Sequence, residues 1–273
     1  MFKYYISLLL LFKCLGAFSQ SVNNDYESDF AWHVKQVDEF IERFNNNDKT
    51  LIKLYNKKHN PVISLTREKL LKSLFNASDK NWDINEITNF IKDVTNKKKQ
   101  VYLDFFDKGW CAKLICLVNW KGKPERVVLT LKIKKYPDGS SKWVIAAVSA
   151  NFLKQQWLTD SLAGHTLAAI PAAKNHSTSL HPFSHSASFS NITQVSKDKT
   201  NIENYLETPV SNTNRELLTF ANEIINNRLQ IKHAESLTYE FHQVKGWTFE
   251  VSQFERQSQN SGWLISKLTR TAI

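Results

Sequence analysis

The 273-residue sequence is poor in glycine and cysteine, with seven of the first and three of the second. So few glycines leave little material for the glycine-rich loops that cradle phosphate groups. The chain also contains no nucleophile elbow, no phosphate-binding loop and no His-Glu-x-x-His run. We therefore predict no cofactor and no metal, and the motifs leave the catalytic residues, if any, unknown.

The cysteines are not arranged as a disulfide framework. Cys14 lies in the apolar N-terminal segment, where Lys13 directly before it spoils the small-residue pattern of a lipid-modified cysteine, so a lipoprotein is a minor alternative. Cys111 and Cys116 are five residues apart in one predicted strand. Side chains at that spacing point to opposite faces, so we expect two small buried apolar residues rather than a disulfide.

No apolar run is long enough to cross a bilayer. The run at residues 6–12 is shorter than the roughly 20 residues a spanning helix needs. Lys3 before it and the Ala-Phe-Ser triplet at 17–19 after it are typical of a secretory signal peptide. We predict a signal peptide over residues 1–20 with a mature N-terminus near Gln20. The protein is then exported, periplasmic or extracellular, with no transmembrane anchor after cleavage.

The positive charge is concentrated in one segment. The chain carries a formal net charge of +10, and residues 92–142 hold 13 Lys/Arg against 5 Asp/Glu. Lys132 and Lys134 alternate with aliphatic residues, which places them on the wet face of a strand. That face either meets an anionic surface, such as lipid headgroups or acidic glycans, or is a solvated face whose lysines protect the sheet from aggregation. We favour the second alternative, and export argues against nucleic acid.

Helical periodicity dominates the first hundred residues. Apolar side chains from Phe30 to Phe44 recur at helical spacing and predict one amphipathic helix. Short helices are expected at residues 51–55 and 67–75. Asp83, with Glu86 three residues later, is typical of a capping box for a helix through Val94.

After residue 100, apolar and polar residues alternate along the chain. This alternation predicts strands, listed in chain order, at residues 101–105, 110–120, 127–135 and 143–150. The Pro-Asp-Gly triplet at 137–139 predicts a tight turn. Residues 158–200 are rich in Ser, Ala and His without a sustained period, which indicates a connecting segment.

The remaining 201–273 predict a small α+β part with one helix ending near Arg228 and three strands. We expect this part to dock on the first domain or to extend its sheet. The predicted division is therefore a signal peptide (1–20), a cone-like domain (21–157), the connecting segment (158–200) and the C-terminal part (201–273). The fold class is α+β, with N-terminal helices packed on a curved antiparallel sheet.

Three stretches resemble the nuclear transport factor 2-like superfamily: "VDEFIERFNNND", the following "LIKLY", and the hairpin "KIKKYPDGSSKWVIAAV". The resemblance covers roughly residues 26–153. It implies opening helices packed on a curved sheet that forms a cone with a pocket. The superfamily contains isomerases and dehydratases as well as non-catalytic binding and scaffold modules, so the fold alone selects no function.

Two sets of residues are candidates for chemistry. Asp104, Tyr55 and His33 are the acid–base candidates for a cone pocket, although Asp104 alternates with apolar neighbours and so faces solvent. Four histidines, at positions 165, 176, 181 and 185, are candidate metal ligands, but their spacing fits no standard zinc pattern. We expect an exported non-catalytic binding or scaffold protein whose partner is an unknown small molecule or envelope component. The alternative is a small-molecule enzyme, an isomerase or dehydratase using the cone pocket.

Overall fold

The computed structural model describes residues 26–62, 64–76, 82–173, 180–255 and 261–271. Within these ranges the chain is an α+β protein with helices near the N-terminus and an antiparallel sheet, so the predicted fold class is confirmed. The predicted signal peptide lies outside the described residues. No helix in the described ranges is long and apolar enough to cross a membrane.

The described part of the chain before the sheet forms five helices: α1 (residues 26–32), α2 (Val37–Phe44), α3 (Leu51–His59), α4 (Arg67–Ser73) and α5 (Ile84–Val94). The N-terminal caps are encoded locally. The side chain of Thr66 accepts a hydrogen bond from the Lys69 backbone N–H, and that of Asp83 accepts one from the Asn85 N–H. Each bond satisfies a backbone donor that a helix start leaves without an intrahelical partner. The start of α5 at the predicted cap is confirmed.

The prediction of one continuous helix from Phe30 to Phe44 is wrong. The chain leaves the helix after residue 32 and re-enters it at Val37. Between the two helices, the Val34 N–H donates to the Ser261 carbonyl at 3.0 Å, and the Trp263 N–H donates to the Val34 carbonyl at 2.8 Å. A helical Val34 would use both of its backbone groups inside the helix, so pairing with the distant strand breaks the helix here.

The sheet has six strands: β1 (Trp110–Trp120), β2 (Lys123–Lys135), β3 (Ser141–Ser149), β4 (Leu229–Phe241), β5 (Trp247–Phe254) and β6 (Gly262–Arg270). Their order is β3-β2-β1-β4-β5-β6. Two meanders of three consecutive strands therefore meet where β1 pairs with β4, antiparallel. The C-terminal strands extend the sheet, which was one of the two arrangements expected. β1 is antiparallel to both of its neighbours, β2 and β4.

The strand predicted at residues 101–105 does not form. Residues 101–104 have no regular secondary structure, and a turn begins at residue 105. Other groups satisfy the backbone of this stretch: the Arg67 guanidinium donates to the Val101 carbonyl, and the amide of Gln243 pairs with both backbone groups of Asp104 at 2.8 and 2.9 Å. Side chains therefore make the hydrogen bonds to this backbone that a neighbouring strand would otherwise make.

Both edge strands are partly covered. Along β3, Trp143 bridges Leu180 and Ile145 bridges Leu206. Along β6, isolated bridges join Gly262 to Val34 and Ile265 to Phe75. Unpaired edges are templates for aggregation, and these bridges cap them over part of their length.

The described chain forms two compact units. Unit 1 contains the chain up to Tyr102 together with Gln253–Ile265, and unit 2 contains Leu103–Ser252 and the residues after Ile265. The expected connecting segment, residues 158–200, thus lies within unit 2 rather than between the units. It begins in α6 (Asn151–Leu162), continues through 3-10 turns and the short α7 (Gln194–Lys197), and precedes α8 (Arg215–Ile225). Its fully buried apolar side chains are Leu180, Phe189, Ile192 and Val195.

Aromatic rings fill the core side of the sheet in unit 2. Trp110 stacks on Phe241 with centroids 5.1 Å apart, and Phe241 stacks on Phe249 at 5.0 Å. Trp143 meets Trp110 edge to face at 5.5 Å. All four rings are almost fully buried. These four rings form a closely packed apolar layer with specific ring geometry.

Candidate functional site

An apolar groove of about 520 Å³ lies between α1 and α3 in unit 1, and we call it the α1–α3 groove. Its apolar lining is Tyr26, Phe30, Ala31, Leu51, Leu54 and Tyr55. Several of these side chains are exposed, including Tyr26 at 64% and Leu54 at 52%. Exposed apolar side chains gathered in one concave place mark an interaction site more often than scattered ones do.

The groove exists because α3 carries more apolar residues than one buried face requires. Ile52 alone is buried, and it packs in a small cluster with Ala31 and Leu70. Leu51 and Leu54 lie on the remaining surface of the helix and stay exposed. The sequence signal is visible in "LIKLY", where four apolar residues within five positions cover a wide arc of a helix. Sequence reasoning used that run only to place the helix and missed the groove.

The rim of the groove is charged, with Glu27, Lys58 and His59 in its lining. The last turn of α3 contains Lys57, Lys58 and His59, which complement the negative end of the helix. Glu27 across the groove lies 3.4 Å from the Lys58 ammonium and 3.1 Å from His59 Nε2. Tyr55 stacks on His59 with centroids 4.5 Å apart, which joins the apolar wall to the polar rim. The groove therefore has an apolar wall that ends at one glutamate, one lysine and one histidine.

The three acid–base candidates are not brought together. Tyr55 is a wall of the α1–α3 groove. His33 Nδ1 lies 2.8 Å from the Ser261 hydroxyl and lines a separate pocket of only about 60 Å³. Asp104 is exposed, as expected, and its carboxylate accepts a hydrogen bond from the Phe106 N–H at 2.8 Å. These positions offer no paired acid and base around one cavity.

Arg43 lines the same small pocket as His33 and has a structural role. Arg43 is 4% exposed and donates to the carbonyls of Trp32 and Ala31 at 2.8 and 3.2 Å. Burial lowers the pKa of Arg43 to about 10. These bonds satisfy the last carbonyls of α1, so Arg43 holds that helix against α2 and fixes one wall of the groove.

The histidines of the connecting segment (158–200) lie in different environments. His181 Nδ1 accepts a hydrogen bond from the Phe183 N–H at 3.2 Å and caps a 3-10 turn. His185 is 5% exposed, hydrogen-bonds to the Pro182 carbonyl at 2.9 Å and packs against aromatic rings. His165 is exposed, and His176 lies outside the described residues. Among the residues that the structure describes, no three His, Cys, Asp or Glu side chains are grouped to hold a metal ion.

Cys111 and Cys116, the cysteines within the described ranges, are free and buried, as the strand geometry predicts. They lie on opposite faces of β1. Burial raises the pKa of both thiols, that of Cys116 to about 12.

The basic segment is partly neutralised by carboxylates from outside it. Lys113 on β1 pairs with Glu240 on β4, and Arg126 on β2 pairs with Glu235 at 2.6 Å. The hydrogen bond from Arg126 lowers the pKa of Glu235. Lys142 is 2% exposed, and its ammonium donates to the Asn204 carbonyl at 2.7 Å. Lys113, Arg126 and Lys142 are thus bound to groups within the fold, while contact of the remaining lysines with an anionic surface stays a prediction.

No protein-family model, curated protein or solved structure matches this chain. The fold class and the grooved surface of unit 1 are thus the available guides to function.

Proposed function

We propose that this chain is an exported, non-catalytic binding protein that holds a fatty carboxylate in the α1–α3 groove. The observation that carries the proposal is the groove itself, with exposed Tyr26 and Leu54 in its wall and Lys58 and His59 at its rim. Apolar walls supply free energy in proportion to the area removed from water. A lysine at the rim favours an anionic head over a neutral or cationic one.

A ligand carboxylate can replace the ion pair at the rim of the groove. Lys58 and Glu27 are both largely exposed, so their ion pair is weak and is easily replaced by a ligand carboxylate at Lys58. The apolar wall is already in place because α1 and α3 are held by the buried Ala31–Ile52–Leu70 cluster. Binding to a groove that is already formed avoids the cost of ordering it.

The alternative, a small-molecule enzyme, needs an enclosed pocket beside an acid or a base. The core side of the sheet in unit 2 holds Trp110, Trp143 and Phe241 instead. The resemblance of residues 26–153 to the nuclear transport factor 2-like superfamily stays a prediction, and that superfamily also contains non-catalytic binding modules.

The proposal is tested by calorimetric titration of the purified protein with octanoate, decanoate and dodecanoate below their micelle concentrations. Each buried methylene contributes about 0.8 kcal/mol, so affinity should rise roughly fourfold per methylene while the groove accommodates the chain. Decanol and decyltrimethylammonium, matched in length, should bind more weakly than decanoate. Affinity independent of chain length, or tighter binding of the cation, would refute the proposal.

The ammonium at the rim is tested separately. Lys58→Gln should weaken decanoate binding, and Lys57→Gln, one residue away but not in the groove lining, should not. Equal effects of the two substitutions would show that general surface charge, and not the groove rim, attracts the carboxylate.

A further inference from the structure

We propose that a second pocket, in unit 2, binds a small anionic sugar. The pocket has a volume of about 360 Å³ and lies between the end of α6 and the start of α8. Its side chains include Trp157, Asp160, Ser161, His165, Asn212 and Arg215. It shares no residue with the α1–α3 groove, so the inference does not depend on the proposed function.

The walls of the pocket are fixed by backbone hydrogen bonds. The Gly164 N–H donates to the Ser161 carbonyl at 3.1 Å, and the His165 N–H donates to the Asp160 carbonyl at 2.8 Å. Gly164 has φ +73, a left-handed conformation that ends α6 and that glycine adopts without strain. Further along the loop, the buried amide of Asn222 donates to the Ala168 carbonyl at 3.1 Å. The site is therefore preorganised.

Arg215 is the anion-binding group of the pocket. Its guanidinium carbon lies 4.2 Å from the centroid of the Trp157 ring, which orients the planar group and limits its rotamers. None of the ion pairs found in the described ranges involves Arg215. A preoriented guanidinium has several N–H donors in one plane, and that fork matches carboxylate and phosphate oxygens.

The remaining polar groups favour a polyhydroxylated ligand. Asp160 accepts one hydrogen bond from the Gln156 amide at 2.8 Å, and a carboxylate has further lone pairs that can accept from sugar hydroxyls. The Asn212 amide and the Ser161 hydroxyl both donate and accept, as sugar hydroxyls do. Trp157 is half-buried and lines the pocket, so it adds apolar surface for the C–H groups of a pyranose ring.

Carboxylate and phosphate share the chemistry that Arg215 recognises, so the test has an arm for each. The purified protein is titrated by calorimetry at low salt with glucuronate, glucose 6-phosphate, glucose and inorganic phosphate. We expect at least one of the two anionic sugars to bind at least tenfold more tightly than both glucose and inorganic phosphate. Glucose binding as tightly as the anionic sugars would refute the role of Arg215. Inorganic phosphate binding as tightly would refute the sugar assignment, and no binding of any probe at millimolar concentration would refute the site.

Two substitutions and one matched control locate the binding. Arg215→Gln should weaken the anionic sugar at least tenfold, whereas Arg270→Gln, which removes another arginine near a tryptophan ring (Trp247, 5.6 Å), should leave affinity unchanged. Asn212→Asp places a negative charge in the pocket without touching the Arg215–Trp157 pair and should also weaken binding at least tenfold. If Arg215→Gln fails to fold, the affinity of Asn212→Asp for the anionic sugar tests the pocket instead. Unchanged affinity in Asn212→Asp would overturn the proposal.

Discussion

Replacing Trp143 with alanine tests the aromatic core of unit 2. The side chain is fully buried on the face of β3 that the alternating pattern assigns to the core. Its indole N–H donates to the Pro182 carbonyl at 3.0 Å, and its ring lies 5.1 Å from Phe189 and 5.5 Å from Trp110, edge to face in both cases. Removing it opens a cavity and takes away one of the two hydrogen bonds that the Pro182 carbonyl makes, since His185 also lies 2.9 Å from that oxygen.

The magnitude follows from these contacts. Deleting a buried aromatic ring costs about 3–5 kcal/mol, through lost burial and the cavity that remains. In a domain of this size, each kcal/mol lowers the melting temperature by about 2–4 °C, so we expect a decrease of roughly 6–20 °C. Trp143→Phe keeps most of the ring but loses the hydrogen bond to Pro182, and should cost about 1–2 kcal/mol.

The assay is urea unfolding followed by circular dichroism, with Phe183→Ala as the control. Phe183 belongs to the same turn that Trp143 contacts, but it is 69% exposed, so its removal should change stability by less than about 0.5 kcal/mol. A Trp143→Ala variant as stable as the wild type would show that the ring is not in the core. An effect of Phe183→Ala as large as that of Trp143→Ala would show that the cost does not come from burial.

Three further predictions concern ionisation and export. Burial raises the pKa of Cys116 to about 12 and also raises that of Cys111. Iodoacetamide at about pH 8 should therefore modify neither thiol until urea is added. Mass spectrometry that shows both thiols rapidly labelled in the native protein would contradict this. Burial and a hydrogen bond to Asp198 raise the pKa of Tyr205 to about 12, so its stabilising contribution is complete below about pH 10, the unfolded pKa, and is lost as the pH rises to about 12. The free energy of unfolding should therefore fall more between those pH values for the wild type than for Tyr205→Phe, and parallel curves would contradict the raised pKa. The mature protein isolated from its source should begin near Gln20, and an intact N-terminal methionine would contradict export.

Local patterns predicted most of the strands and caps. β1 was predicted with the bounds that it has, because eleven residues of which nine are apolar, bounded by turn residues, leave few alternatives. The cap at Asp83 depends on a side chain and a backbone N–H two residues apart, so the sequence contains all the information needed.

Long-range pairing explains the elements that were not predicted. The helix break at Val34 is caused by strand residues more than 220 positions away, and no local pattern records that partner. The same holds for charge. A window over residues 92–142 counts Lys113 and Arg126 as excess, whereas the sheet pairs them with Glu240 and Glu235 from β4. The unit 2 pocket was missed because its residues come from two helices and the loops beside them, separated in sequence by about 50 residues.

The most direct test of the proposed function compares two leucine-to-aspartate substitutions for decanoate binding. Leu54→Asp places a carboxylate inside the α1–α3 groove, whereas Leu162→Asp changes an equally apolar residue that is 88% exposed at the end of α6 in unit 2. Both positions are exposed enough for the folded state to accept aspartate, and thermal unfolding checks this for each variant. We predict that calorimetric titration shows decanoate binding to the wild type and to Leu162→Asp with equal affinity, and at least tenfold weaker binding to Leu54→Asp. Unchanged affinity in a folded Leu54→Asp variant would contradict the groove as the binding site.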